Sequence, residues 1–309
     1  MTRFECDPSS PAPRVALITG ANTGIGRVTA LELSRHGFHV FLAGRSLERT
    51  QPVLDEIRSG NPAAVAEWIP LELSDFESVR TCATAFLERQ LPLHLLVNNA
   101  GLAGARGLTT SGFEFMFGVN HMGHFLLTQL LLERLKVSAP ARIITVASRA
   151  HLRVRDIDWD AVRQPTASVF SVKEYCVSKL ANVLFSAKLG RHLQGTGVVT
   201  SSLHPGVVDS DIWRTLPRPF RALNRLRLIS VEQGAKTTLH CALAEGAALE
   251  TGLYYSDSRT ILPSAAAMNL ALADELWQAA WTGSSNTTPC HSIHGLAYNN
   301  AVKSPVHQL

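Results

Sequence analysis

Short apolar runs alternate with longer amphipathic stretches along most of this chain. Seven runs have the length and composition of β-strands, and they lie at 14–19, 38–43, 66–73, 93–99, 141–148, 198–204 and 252–256. The longer stretches have helical periodicity and lie near 25–36, 47–58, 75–90, 111–137, 173–194, 230–245 and 269–281. Because the strands are apolar along their whole length, helices must cover both faces of the sheet. The pattern predicts a doubly wound α/β fold with a parallel sheet of about seven strands.

No linker or change of composition divides the 309 residues, so we expect one domain over 14–282 with an N-terminal extension over 1–13. Segment 283–309 has no sustained periodicity, and we expect it to be mobile. No apolar run approaches the roughly 20 residues that cross a bilayer, and the first residues lack a signal-peptide core, which predicts a cytoplasmic protein. The cysteines include no Cys-x-x-Cys pair and read as reduced thiols.

The net charge of +4 is concentrated in one segment. Residues 212–229 contain five arginines and no acid, so the excess positive charge is local and does not indicate a nucleic-acid-binding surface. The same segment has apolar residues at near-helical spacing, a pattern that could also lie on an anionic membrane surface.

A glycine-rich turn, "TGANTGIGR" at 19–27, joins the first strand to a helix pattern. Gly20, Gly24 and Gly26 allow a tight turn and a close approach to a pyrophosphate, which the free N–H groups of a helix N-terminus attract. The spacing differs from the commoner Gly-x-Gly-x-x-Gly fingerprint. A glycine cluster can be only a tight turn, but the strand before it and the helix after it favour a dinucleotide site.

The second strand ends in Gly44 and Arg45, where NAD sites commonly have an acid that accepts from the ribose hydroxyls. A 2′-phosphate would be attracted by Arg45 and by a second cation, Arg27. The alternative is that both arginines only face solvent. The sequence favours NADP(H) over NAD(H).

Tyr175 and Lys179 are four residues apart at the head of an apolar helix and therefore share one face. One interpretation is a buried ring beside a solvated surface charge. The other is a phenol whose pKa an adjacent ammonium lowers, so that it exchanges protons near neutral pH.

Several motifs occur here in the order found in short-chain dehydrogenases/reductases. They are "TGANTGIG", "NNAG" at 98–101, Asn120 in "GVNHMGHF", Ser148, "YCVSK" and "HPG" at 204–206. The chain resembles this family over about 14–282, and within it the retinol dehydrogenase and carbonyl reductase group. The resemblance implies a single Rossmann domain that transfers hydride between a nicotinamide and a lipophilic alcohol, aldehyde or ketone.

The resemblance also implies roles for individual residues. Tyr175 would be the general acid/base, Lys179 would lower its pKa and bind the nicotinamide ribose, Ser148 would steady the substrate oxygen, and Asn120 would hold a water in a proton relay. The cofactor contacts implied, besides Tyr175 and Lys179, are Gly20, Asn22, Thr23, Gly24, Ile25, Gly26, Arg27, Arg45, Glu72, Asn99, Ala100, Gly101, Pro205, Gly206, Val208 and Ser210. This chain departs from the family at Glu72, usually aspartate, at Ala147, usually serine, and at Ser210, usually threonine.

Other features have competing interpretations. In the family the segment after "HPG" is a lid over the substrate, and we favour that interpretation of 212–229 over a membrane-surface helix. The family often pairs subunits through helices next to 125–137, so a homodimer is an expectation. The His-x-x-His pairs at 121–124 and 291–294 have no further ligand set, so we expect no metal site. The alternatives to an enzyme of this kind are a catalytically idle NADP-binding regulatory protein and a nucleotide-sugar epimerase.

Overall fold

The computed structural model describes residues 13–207, 229–244 and 250–285. Within these ranges, eight strands form one sheet in the order β3-β2-β1-β4-β5-β6-β7-β8. The strands are β1 (Val15–Thr19), β2 (His39–Gly44), β3 (Ala66–Pro70), β4 (Leu95–Asn98), β5 (Ala141–Val146), β6 (Val198–His204), β7 (Leu253–Ser256) and β8 (Arg259–Thr260). Strands β1 to β7 are parallel, and β8 pairs with β7 in the antiparallel direction.

Helices cover both faces of this sheet. They are α1 (Gly24–Arg35), α2 (Leu47–Gly60), α3 (Phe76–Leu87), α4 (Phe115–Phe117), α5 (Gly123–Val137), α6 (Val172–His192), α7 (Val231–Leu243) and α8 (Leu270–Ser285). One core contains buried residues of α1, α2 and α7, such as Leu33, Leu54 and Cys241. The other contains residues of α3, α5, α6 and α8. The predicted doubly wound Rossmann fold is confirmed, because apolar strands are buried between two helical layers.

Two local features differ from the predictions. The helix predicted over 111–137 begins at Phe115 and contains a π-helical turn, Gly118–Met122, which separates α4 from α5. Strand β8 was not predicted, because two exposed residues carry no periodic pattern. It follows a two-residue turn in which Asp257 and Ser258 have positive φ angles, the geometry of a tight hairpin.

The ends of the chain and the arginine-rich segment lie mostly outside the described residues. Helix α8 continues to Ser285, beyond the predicted domain end at 282. The predictions for the extension over 1–12, for 212–228 and for 286–309 therefore stay predictions. Among the described residues, no helix is both long and apolar enough to cross a membrane.

Candidate active site

The glycine turn after β1 has the backbone that its sequence requires. Gly20 and Gly24 have φ angles of +66° and +56°, a region that side chains other than glycine rarely adopt. A Cβ on Gly20 would lie 2.9 Å from the Cα of Ala100, and one on Gly26 would lie 2.4 Å from the carbonyl oxygen of Gly20. The turn thus packs directly against the loop after β4.

The remaining predicted residues of this turn lie between the strand and the first helix. Asn22 and Ile25 are half-buried, and Thr23 is exposed and immediately precedes α1. The free N–H groups at the start of α1 therefore lie at the carboxyl edge of the parallel sheet, where dinucleotides bind in such folds. This geometry fits the pyrophosphate of a nicotinamide dinucleotide.

Asn99 and Thr19 fasten the "NNAG" loop to the glycine turn. The Asn99 side-chain amide donates to the Thr19 carbonyl oxygen at 2.8 Å. The Thr19 hydroxyl accepts from the backbone N–H groups of Asn99 and Ala100, both at 2.9 Å. Asn99 and Ala100 are thus placed beside the cofactor turn as predicted, whereas Thr19 was missed, although it directly precedes the first glycine.

Both arginines assigned to a 2′-phosphate form ion pairs. Arg27 pairs with Glu56 of α2. Arg45 lies 3.5 Å from the carboxylate of Glu72, and the Arg45 side chain is 57% exposed. The parallel register that places Gly44 opposite Pro70 brings these two residues together at the strand ends. The sequence identified both members but not their pairing, because the pairing depends on the β2–β3 register.

Asn120 lies in the π-helical turn and is fully buried. Its side-chain oxygen accepts from the Leu102 N–H at 2.9 Å, and its amide donates to the Leu102 carbonyl and to the Ser178 hydroxyl, both at 3.0 Å. Asn120 therefore joins the loop after β4 to α6. Both amide hydrogens are bonded to the protein, and the predicted role in holding a water stays a prediction. Ser178 was missed by the sequence analysis, although it directly precedes Lys179.

Tyr175, Ser148 and Lys179 converge at the carboxyl end of β5. A hydrogen bond joins the side chains of Tyr175 and Ser148. Lys179 donates to the Val146 carbonyl at 3.0 Å, and its ammonium nitrogen lies 5.8 Å from the centre of the Tyr175 ring. A Cβ on Gly101 would lie 3.4 Å from that nitrogen, which places the predicted cofactor loop against the predicted catalytic lysine.

Burial dominates the protonation of this cluster. It raises the pKa of Tyr175 to about 12, while the hydrogen bond from Ser148 acts in the opposite direction. It lowers the pKa of Lys179 to about 8. The net shift of the Tyr175 pKa is upward, because desolvation of the phenolate outweighs the hydrogen bond, and the lowering of this pKa by the adjacent ammonium stays a prediction. Tyr175 is therefore a protonated phenol at neutral pH.

The segment after β6 packs against Ile229. Gly206 has a φ of +93°, and a Cβ there would lie 2.3 Å from the Cδ1 atom of Ile229. Pro205 and Gly206 directly follow β6 and therefore lie at the carboxyl edge of the sheet, and their contact with the nicotinamide end of the cofactor stays a prediction. Val208 and Ser210 lie outside the described residues.

A cavity of about 470 Å³ is lined in part by residues that follow Ser148 along the chain. Its described lining combines charged residues with apolar ones, including Arg149, Asp257, Leu152, Ile261 and Leu262. Three of these side chains, Leu152, Ile261 and Leu262, are large, apolar and exposed. The cavity has room for a small organic molecule, and its described lining includes neither Ser148 nor Tyr175.

The histidines at 121 and 124 are buried and bonded within the protein. His121 contacts the Asn182 side chain at 3.2 Å, and His124 contacts Thr19 and the Asn120 carbonyl. Within the described ranges, no group of three His, Cys, Asp or Glu side chains could hold a metal ion. His291 and His294 lie outside those ranges.

The family model described as short chain dehydrogenase matches residues 14–219. Retinol dehydrogenase 12 of Mus musculus is 44% identical over 276 residues, which cover 86% of this chain and 85% of that protein. Retinol dehydrogenase 11 of Homo sapiens is 43% identical over 274 residues, which cover 86% of this chain and 84% of that protein.

Solved structures agree with this similarity. An uncharacterised protein from Mycobacterium paratuberculosis has a TM-score of 0.71 and 30% identity, covering 90% of this chain and 95% of that one. The actinorhodin polyketide ketoreductase with NADPH has a TM-score of 0.61 and 25% identity, with 78% and 94% covered. The chain therefore belongs to the short-chain dehydrogenase/reductase family of oxidoreductases, in which it is similar to the retinol dehydrogenases.

Proposed function

We propose that this protein is an NADP(H)-dependent oxidoreductase that interconverts a lipophilic alcohol and the corresponding aldehyde or ketone. The observation that carries the proposal is the convergence of Tyr175, Ser148 and Lys179 beside the glycine turn and the "NNAG" loop. A proton donor, a second hydroxyl and a cation thus lie where the cofactor loops meet. The bound nicotinamide supplies or accepts the hydride.

The chain's own residues would handle the proton and the substrate oxygen. Tyr175, protonated at neutral pH, can donate to the oxygen of a carbonyl substrate as that oxygen gains charge. Ser148 is oriented by the Ala150 N–H, which donates to its hydroxyl oxygen at 3.2 Å, and can donate to the same substrate oxygen. Lys179, whose pKa of about 8 keeps it mostly protonated at pH 7, would stabilise a deprotonated Tyr175 in the reverse direction.

Three observations support NADP(H). No acid ends β2, the exposed Arg45 follows Gly44, and Arg27 lies on the first turn of α1. Both arginines already have carboxylate partners, so a 2′-phosphate would have to compete with Glu72 and Glu56. The Arg45–Glu72 distance of 3.5 Å is that of a loose, exposed pair, which an incoming dianion can displace at small cost.

A lipophilic substrate is supported by the exposed apolar side chains Leu152, Ile261 and Leu262 at the described cavity, and by the curated relatives, which are named retinol dehydrogenases. The charged residues Arg149 and Asp257 on the same wall suit a substrate with a polar end as well as an apolar one.

A panel of retinal, medium-chain aldehydes and small polar ketones, each with NADPH and with NADH, tests the proposal by the fall in absorbance of the reduced cofactor. We expect turnover of the apolar aldehydes with NADPH. Binding of NADPH without turnover of any substrate would instead favour the catalytically idle regulatory protein. Failure to bind either cofactor would refute both functions.

A further inference from the structure

A chain of buried hydrogen bonds runs from the cofactor loops to the turn that holds Asn120. Thr19 ends β1, and its hydroxyl lies 2.9 Å from Nε2 of His124. Nδ1 of His124 lies 3.1 Å from the main-chain carbonyl oxygen of Asn120, one helical turn earlier. Thr19, His124 and Asn120 are all buried to 1% exposure or less. The geometry points to His124 as a positioning residue that fixes the Asn120 turn relative to the cofactor loops.

The partners of Thr19 determine which nitrogen of His124 carries the proton. The Thr19 hydroxyl oxygen accepts from the N–H groups of Asn99 and Ala100, which occupies both of its lone pairs. Its own proton is then left for the nearer acceptor, Nε2 of His124 at 2.9 Å, in preference to the Val97 carbonyl at 3.4 Å. His124 therefore carries its proton on Nδ1 and donates it to Asn120.

His124 stays neutral because burial and the nearby Lys179 charge both act against a second proton, lowering its pKa to about 4. The chain of bonds ends at two backbone amides, which neither accept nor release protons at ordinary pH. A proton cannot leave the site by this route. The function of His124 is therefore geometric, and it holds groups in place without carrying a proton.

The groups that His124 joins belong to both halves of the site. Asn99 and Ala100 lie on the cofactor side, whereas Asn120 contacts Leu102 and, through Ser178, the helix that carries Tyr175 and Lys179. A Cβ on Gly101 would lie within 3.5 Å of both Lys179 and Asn120, so there is little room for the turn to shift without disturbing this contact. Loss of His124 would loosen the link between cofactor binding and the catalytic groups.

Two substitutions separate the two bonds of His124. In His124→Asn the amide nitrogen lies near the position of Nδ1, so the Asn120 bond is retained and the Thr19 bond is lost. In His124→Gln the amide reaches the position of Nε2, so the Thr19 bond is retained and the Asn120 bond is lost. His124→Phe removes both, and Leu135→Ala, a buried change at the far end of α5, is a control for simple loss of stability.

Each variant is assayed for its NADPH dissociation constant by fluorescence titration and for kcat. We expect His124→Asn to raise the dissociation constant about five- to tenfold with kcat near that of the wild type, as for loss of one buried hydrogen bond. His124→Gln should lower kcat by a similar factor with binding nearly unchanged. Thr19→Val should raise the NADPH dissociation constant by a smaller factor in the His124→Phe background than in the wild type, because the Thr19–His124 bond is already absent there, whereas the bonds from the Asn99 and Ala100 N–H groups are lost in both backgrounds.

Three outcomes would overturn the inference. The first is that His124→Asn and His124→Gln change NADPH binding and kcat by the same factors. The second is that Leu135→Ala also changes NADPH binding without kcat, or kcat without NADPH binding. The third is a shifted pH profile of kcat in His124→Phe, which would indicate proton transfer. The measurements of kcat rest on the proposed function, because they require turnover. The binding titrations do not, so an absence of turnover would refute that function and leave the Thr19 half of the inference to be decided by NADPH affinity.

Discussion

Replacement of Arg45 by alanine should weaken NADPH binding more than NADH binding. Arg45 is the cation at the end of β2, where the 2′-phosphate distinguishes the two cofactors. Glu72 competes for the same guanidinium at 3.5 Å. The companion change Glu72→Gln should therefore have the opposite effect and strengthen NADPH binding, because it frees Arg45 and removes a charge that repels the phosphate.

The expected loss of NADPH binding free energy in Arg45→Ala follows from the exposure of the Arg45 side chain. A pair of unit charges 4 Å apart is worth about 1 kcal/mol in water and about 4 kcal/mol at an effective dielectric constant near 20. Because the Arg45 side chain is 57% exposed and already has a carboxylate partner, its interaction energy with the 2′-phosphate should lie toward the estimate for water. We expect about 1–2 kcal/mol, which is roughly a five- to thirtyfold loss of NADPH affinity, with less than a twofold change for NADH.

Calorimetric titration of each cofactor into wild type, Arg45→Ala and Glu72→Gln measures these differences. Arg58→Ala is the matched control, because Arg58 also forms an exposed ion pair, with Asp55 at 3.8 Å, but in the last turn of α2, near the beginning of β3 and not its carboxyl end. The loss of NADPH affinity caused by Arg45→Ala should become smaller as the salt concentration is raised. Arg58→Ala should bind both cofactors as the wild type does. A wild type that prefers NADH, or an Arg45→Ala variant that weakens both cofactors equally, would show that Arg45 does not read the 2′-phosphate.

Three further predictions concern the catalytic groups and the end of the chain. Tyr175→Phe should reduce turnover by at least about a hundredfold while NADPH affinity changes little, because the ring remains and the proton donor is lost; kcat and the dissociation constant measure this, and retained activity would exclude Tyr175 as the donor. Lys179→Met should be more stable than wild type near pH 7, with the gap in Tm closing toward pH 10. The folded-state pKa of about 8 lies below the usual lysine value of 10.5, so the wild type gains stability as pH rises through that window, and a constant gap would contradict the burial effect. Removal of residues 286–309 should leave the Tm and NADPH affinity unchanged, since the predicted motifs precede them, whereas truncation before Ser284 should lower the Tm, because Arg80 donates to the Ser284 carbonyl at 2.7 Å.

Much of the site could be predicted from the sequence because its residues follow the strands of a parallel sheet. The turns at Gly20, Arg45, Glu72, Asn99, Ser148 and Pro205 all follow strands whose carboxyl ends share one edge, so the strand pattern alone brings them together. Tyr175 and Lys179 needed only the helical period.

The rest depended on information that a single sequence does not carry. The Arg45–Glu72 pair follows from the register of β2 against β3. The hydrogen bond between Thr19 and His124 joins residues 105 positions apart, and no local sequence pattern predicts it. The i, i+4 spacing of Asn120 and His124 indicated only that these two residues share a helix face. The sign of the Tyr175 pKa shift depends on how deeply the ring is buried, which the Tyr-x-x-x-Lys motif leaves undetermined.

The short strand β8 has a consequence for self-association. Its pairing with β7 occupies the outer hydrogen-bonding groups at Tyr255 and Ser256, and its own residues, Arg259 and Thr260, are exposed and include a charge. An unpaired edge strand invites a second chain to extend the sheet, and a short charged strand of this kind discourages it. A second copy would have to displace the hairpin before it could add a strand along these residues, so a chain that extends this sheet should do so at the opposite edge, along β3.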